Sequence, residues 1–218
     1  MLKDLPHAVA RTCLADAAAS PMAREGVTYP DWYLQRWHFL PEGYLSRRSV
    51  AGYEALIRNV YNMASERCVL RALLRRLRWA KPARVLDLGC GPGRYLEALG
   101  QAFPAAELTG VDLSPFMLEL ARDRLATKTG VTLVHADAGD TGLEAGAYDT
   151  IVATHPHWPP SCEVARAVIA EARRLLTAGG RLVIVDHSWH PRGAAGFQPR
   201  VRERLLGGVL RLEVLSPA

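Results

Sequence analysis

Val85-Leu86-Asp87-Leu88-Gly89-Cys90-Gly91-Pro92-Gly93-Arg94 is the stretch on which the reading of this chain turns. A short run, apolar except for one carboxylate, enters a turn with glycine at alternate positions. An apolar-periodic segment over 93–103 follows. Such a run fits a strand covered on both faces, and the segment after it fits a helix. Glycine serves the turn in two ways. The backbone there takes angles that a side chain resists. A ligand must also come close to the main chain, beside helix N–H groups that favour negative charge. Dinucleotide-binding loops are spaced G-x-G-x-x-G. Here the spacing is G-x-G-x-G, and Arg94 stands where the last dinucleotide glycine would be, which argues against NAD.

Two further segments repeat the pattern of an acidic residue at a strand end. Thr109-Gly110-Val111-Asp112-Leu113-Ser114-Pro115 places Asp112 where it can accept hydrogen bonds from both hydroxyls of a ribose. Ser114 then reads as a helix cap, with Pro115 at the first helical position. Val134-His135-Ala136-Asp137-Ala138 places Asp137 to accept from an exocyclic adenine amine. Strands are expected over 84–88, 107–112, 131–135, 149–153 and 181–186, and helices over 93–103, 115–127 and 163–176. This alternation predicts right-handed crossovers and an α/β fold with a doubly wound, mainly parallel sheet flanked by helices.

Upstream, the chain crowds Tyr29, Trp32, Tyr33, Trp37, Phe39, Tyr44, Tyr53 and Tyr61 into one stretch. Tyr53, Leu56, Ile57 and Val60 recur at helical spacing, and so do Leu70, Leu73, Leu74 and Leu77. The second of these helices is expected to carry Arg71, Arg75, Arg76 and Arg78 outside and to stop before Pro82. Residues 1–80 read as a helical, aromatic lid on a core over 81–218, all one domain. At the other end, 202–215 reads as a hairpin turning at Gly207-Gly208. Alternatively, 199–206 is a short helix followed by one strand over 209–215. Either outcome predicts an abbreviated sheet edge, and an exposed edge favours a homodimer.

Composition sets outer bounds. A chain of 218 residues with 49% apolar and 22% charged residues can bury a core, which excludes global disorder. No apolar run approaches the roughly 18 residues of a membrane-spanning helix. The first 21 residues hold no continuous apolar segment of the signal-peptide kind, since Asp4, Arg11 and Asp16 interrupt them. Cys13, Cys68, Cys90 and Cys162 show no C-x-x-C spacing and read as free thiols in a reducing cytoplasm. The net charge of +5 comes from 24 Arg against 3 Lys. That excess is modest beside the dense stripes of nucleic-acid binders, so solvated arginine faces are the expectation.

Asp87 to Gly93, Asp112 and Asp137 together resemble the successive motifs of class I S-adenosylmethionine-dependent methyltransferases, of the small-molecule, type 11-like kind. The segment Glu171-Ala172-Arg173-Arg174-Leu175-Leu176-Thr177-Ala178-Gly179-Gly180-Arg181-Leu182-Val183-Ile184 resembles that family's helix, glycine turn and fifth strand. The resemblance covers 84–187 and implies a Rossmann-like fold. It implies that S-adenosylmethionine is the cofactor and S-adenosylhomocysteine the product. Gly89, Gly91 and Gly93 would pass under the methionine part, and Asp87 would order its ammonium group. Asp112 would hold the ribose and Asp137 the adenine, with Leu113, Met117 and Ala138 as apolar walls.

The acceptor side is less defined. Thr154-His155-Pro156-His157-Trp158-Pro159-Pro160 and Asp186-His187-Ser188-Trp189-His190 follow the fourth and fifth strands, where ligands of parallel sheets bind. Three readings of these histidines stand side by side: a general base or acceptor anchor, ordinary polar loop residues, or a metal site. No acidic partner pattern supports metal. His155 and His157 follow the strand nearest the methyl group and are the candidate catalytic residues. Trp32, Trp37, Tyr44, Trp158 and His187 are the candidate acceptor contacts. Amino-group methyltransferases of nucleic-acid bases carry Asn/Asp-Pro-Pro-aromatic at this loop, and His155-Pro156-His157-Trp158 lacks its amide or carboxylate. The expectation is methyl transfer to O, C or N of a small aromatic or apolar acceptor. An RNA methyltransferase and a non-catalytic cofactor-binding domain are the alternatives.

Overall fold

The structure is a computed structural model and describes residues 13–34, 43–60, 63–154, 162–188 and 194–218. Helix α1 (Arg47–Val60) and helix α2 (Met63–Leu77) precede the sheet. The chain then alternates through β1 (Arg84–Leu88), α3 (Arg94–Ala102), β2 (Glu107–Asp112), α4 (Pro115–Arg124), β3 (Val131–His135), β4 (Tyr148–Thr154), α5 (Cys162–Leu175) and β5 (Leu176–His187). It ends in β6 (Phe197–Leu205) and β7 (Leu210–Pro217). The sheet has seven strands in the order β3-β2-β1-β4-β5-β7-β6. Pairing is parallel from β3 through β5 and antiparallel where β7 joins β5 and β6.

Alternation along each strand feeds two apolar layers. Val85, Leu108, Val152, Val183 and Val185 face α2, α3 and α4. Leu86, Ile151, Leu182 and Ile184 face α5. A third cluster joins the N-terminal segment to α4, through Tyr33, Leu45 and Val50 against Leu113, Phe116 and Met117. The C-terminal ends of β2 and β3 therefore meet the segment expected to act as a lid.

The sheet edge corrects one expectation. It is not abbreviated: β6 and β7 form a full antiparallel hairpin from Phe197 opposite Pro217 to Leu205 opposite Leu210. Leu206, Gly207 and Gly208 make the turn, all with positive φ. The hairpin alternative therefore holds, in a longer form, and the helix over 199–206 does not occur. Ion pairs hold this edge where the pattern lacks apolar residues. Glu203 binds Arg75 and Arg76 of α2. Glu213, buried in β7, lies 2.7 Å from Arg202 and 3.3 Å from Arg211. A strand carrying Pro199 and three arginines has little hydrophobic signal, so the periodicity missed its first half. A smaller correction concerns Gly179-Gly180, which lie in a bulge within β5: Leu176 pairs with Tyr148 and Arg181 with Thr150.

Candidate functional site

Asp87 follows Leu86 on β1 and is fully buried. Neither carboxylate oxygen has a hydrogen-bond partner among the described residues. Burial, and then the neighbouring Asp112, push its pKa up to about 7. Leaving a buried charge unsatisfied is costly, and such a group calls for a polar or cationic partner.

The turn after β1 is held from below, because the N–H groups of Gly89 and Cys90 both donate to the carbonyl of Val111, at 2.8 and 2.9 Å. Gly89 and Gly91 have φ of 77° and 52°. A Cβ added at either would meet nothing within 4 Å, so both open onto free space from a backbone that only glycine adopts easily. Gly93, also with a φ of 77°, is packed more tightly, since a Cβ there would lie 3.1 Å from that of Ala121. Its smallness lets α3 pack on α4.

Asp112 ends β2 and is half-buried. Oδ2 accepts from the Gly91 N–H at 2.7 Å, and Oδ1 accepts from the Ser114 N–H at 2.8 Å. Burial raises its pKa to about 6, against the opposing pull of those hydrogen bonds. A carboxylate has about four lone-pair sites, so these contacts do not exhaust its capacity to accept from a ligand. Ser114 caps α4 as expected, accepting from the Met117 N–H at 3.2 Å, and its hydroxyl donates to the carbonyl of Tyr44 at 2.6 Å. Asp137 accepts from the Gly139 N–H at 2.7 Å through Oδ1. Leu113 and Met117 are buried against the N-terminal segment, and Ala138 packs beside the α5-facing layer.

Two of the candidate acceptor contacts lie at this same end of the sheet. Tyr44 stacks on Tyr33 with centroids 5.5 Å apart, and Trp32 meets Tyr33 edge-on at 5.3 Å. Both pack against the cluster of Leu113, Phe116 and Met117. His187 ends β5, half-buried, with Nδ1 3.7 Å from Asp186 Oδ1. Trp37, His155, His157 and Trp158 lie outside the described residues.

The sequence reading missed three residues that position this site. Gly110 in β2 faces Leu96 and Cys90, and a Cβ there would come within 2.6 and 2.8 Å of them. Glu119 of α4 is buried and accepts from Ser20 at 2.7 Å and from both terminal nitrogens of Arg47. His135, opposite Asp112 in the β2–β3 register, is buried and binds the N-terminal segment. A charged or imidazole side chain inside an otherwise apolar run was the available signal for the last two.

A parallel sheet of this order, a glycine turn open to a ligand and acidic groups at successive strand ends define a Rossmann-like domain for a nucleoside cofactor. The family comparison gives the class a name. Residues 85–180 match the family described as "Methyltransferase domain". Over this stretch the chain is similar to class I, S-adenosylmethionine-dependent methyltransferase domains. It is 37% identical over 114 residues to a malonyl-acyl-carrier-protein O-methyltransferase of Legionella pneumophila, covering 51% of this chain and 39% of that one. It is 30% identical over 171 residues to a release factor glutamine methyltransferase of Deinococcus radiodurans, covering 64% and 60%. The chain thus spans less than two thirds of the length of either relative. The fold also matches the crystal structure of a TehB-like SAM-dependent methyltransferase from Corynebacterium glutamicum, with a TM-score of 0.59 and 20% identity over 79% of this chain and 100% of that one. Among the described residues no helix is long and apolar enough to cross a membrane.

Proposed function

We propose that the protein transfers a methyl group from S-adenosylmethionine to a small acceptor with an aromatic or otherwise apolar body, in a reducing cytoplasm. The observation that carries the reading is the pairing of an orphaned, buried Asp87 with a half-satisfied Asp112 across an open glycine turn. These groups suit a ligand with a cation at one end and a ribose at the other. The bound cofactor would supply a methyl group activated on a sulfonium. Asp87 would face its ammonium group, and Asp112 would use its remaining lone pairs for the ribose hydroxyls. Asp137, Leu113, Met117 and Ala138 would enclose the adenine. Displacement at a sulfonium needs little beyond alignment, and alignment is what a rigid strand-end platform supplies. His155 or His157 would take the acceptor's proton, with Trp37, Trp158 and His187 about the acceptor. Trp32 and Tyr44 would close the adenosine end as part of a lid over 1–80.

A small acceptor is supported by the aromatic lid, by the loop that lacks Asn/Asp-Pro-Pro, and by the malonyl group in the name of the Legionella relative. The test is calorimetric titration of S-adenosylmethionine into wild type and Asp112→Ala, followed by methyl transfer to a panel of small acids, phenols and amines. Binding that weakens about 100-fold in the variant, roughly 2–3 kcal/mol of charge-assisted hydrogen bonding, is expected. Folded wild-type protein that binds no cofactor overturns the reading. Salt-sensitive methylation of RNA in place of the panel would move the acceptor to a nucleic acid.

A further inference from the structure

His135 has a bonding pattern that only one protonation state satisfies. Its Nδ1 lies 3.0 Å from the backbone nitrogen of Arg24. That N–H can only donate, so Nδ1 is the bare acceptor. Nε2 therefore carries the proton and donates to the carbonyl of Leu113 at 3.0 Å, with the Tyr29 hydroxyl 3.1 Å away as a second partner. The Tyr29 ring lies beside the imidazole, with centroids 5.9 Å apart. The ring thus joins two segments distant in sequence: the N-terminal stretch at Arg24 and Tyr29, and the β2–α4 turn that follows Asp112.

We propose that His135 is a positioning residue for cofactor capture, whose neutral Nε2–H form clasps the N-terminal segment onto the turn carrying the ribose anchor. Tyr29 stacks on Tyr33, and Tyr33 on Tyr44, so fixing Arg24 and Tyr29 fixes the aromatic cluster over Leu113 and Met117. A proton on Nδ1 would face the Arg24 N–H donor to donor, and that bond would be lost. The groups around the ring do not offset this. From the N-terminal segment, the Arg24 charge opposes an imidazolium, and the half-buried Tyr29 hydroxyl stays neutral with its pKa pushed up to about 12. From β2, the Asp112 carboxylate is engaged by Gly91 and Ser114. From α4, Glu119 is engaged by Ser20 and Arg47. Burial holds the His135 pKa below the ordinary histidine value, so the clasp is closed at neutral pH and opens under acid.

The proposal rests on the cofactor reading for its role and on the ligand-free protein for its geometry, so the experiment reads the two separately. Amide hydrogen-exchange protection factors over 24–34 are measured without ligand at pH 7.5 and 5, in wild type, His135→Gln and His135→Ala. S-adenosylhomocysteine affinity is measured alongside at pH 7.5. Glutamine can accept from Arg24 and donate to Leu113, yet it has no proton to gain. The expected result is a fall of tenfold or more in wild-type protection at pH 5, none in His135→Gln, and low protection at both pH values in His135→Ala. Affinity should weaken about tenfold in His135→Ala and recover in His135→Gln. If His135→Ala does not fold, the wild-type and glutamine profiles decide alone. An equal acid-induced fall in His135→Gln overturns the proposal, because the titrating group is then another, such as Asp112. So does full protection in His135→Ala. Absence of S-adenosylhomocysteine binding in wild type, with the exchange pattern as expected, would instead strike the cofactor reading.

Discussion

The two halves of the sheet hold their functional groups in different ways. On the β3-β2-β1 side, main-chain donors within a few residues or on the adjoining turn fix the acidic strand ends: Asp112 by Gly91 and Ser114, Asp137 by Gly139. On the β4-β5-β7 side, the candidate chemistry rides on the stretches after β4 and β5. The sheet there is tied by side-chain ion pairs such as Arg202–Glu213 and Arg76–Glu203. Backbone-fixed groups are rigid and short-range, as a cofactor site common to many reactions demands. Groups on long connections can change without disturbing the sheet, which is where acceptor specificity is free to vary. The difference implies that damage on one side should spare the other.

The largest expected break is on the β4 side. If the proposed base is one of His155 and His157, replacing each in turn with glutamine should lower kcat by about 10²–10⁴ in one of the two variants while cofactor affinity holds. Stopped-time assays with calorimetry on the same samples check this, and a parallel loss of affinity would merge the two halves. Next comes Gly110→Ala on the β2 side. A Cβ pressed against Leu96 and Cys90 should cost about 1–3 kcal/mol of stability by overpacking. Chemical denaturation reads it directly, and an unchanged midpoint would show that α3 can move aside.

Asp87 sharpens the contrast through pH. Its folded-state pKa is raised, so the folded chain holds that proton more tightly than the unfolded chain does. Asp87 and Asp112 therefore favour the folded ligand-free protein most below the ordinary carboxylate value of 3.8, and this contribution is lost progressively as pH rises from there through the folded values of about 6 and 7. Asp87→Asn should exceed wild type in stability most at pH 8, with the gap narrowing as pH falls towards 4. A cationic ligand needs the ionised form, so S-adenosylmethionine affinity should rise from pH 6 to 8 in wild type with a smaller slope in Asp87→Asn. Thermal unfolding and titration at each pH test both statements. The smallest effect is Ser114→Ala, which removes a cap and the bond to Tyr44. A loss of about 1–2 kcal/mol in chemical denaturation is expected, most of it restored by threonine.

How far the chain could be read follows the same division. The glycine turn, the acidic ends of β2 and β3, and the cap at Ser114 were legible because each depends on local backbone geometry and on a repeating strand–helix period. The sheet edge was not, because β6 owes its place to Glu203 meeting α2 and to Glu213 lying buried beneath Arg202, pairings with no local signature. Trp32 and Tyr44 were legible as part of an aromatic N-terminal stretch, but their packing against Leu113, Phe116 and Met117 was not.

By itself, then, the sequence determined the class of fold, the glycine turn and the acidic strand ends around it, since backbone geometry and periodicity dictate them locally. Only the tertiary structure decided which buried carboxylate is left without a partner among the described residues, which glycines open onto free space and which is packed, and that His135 joins Arg24 to Leu113. Those facts depend on groups far apart in the chain meeting in a dry interior, where an unpaired polar atom is too costly to leave to chance.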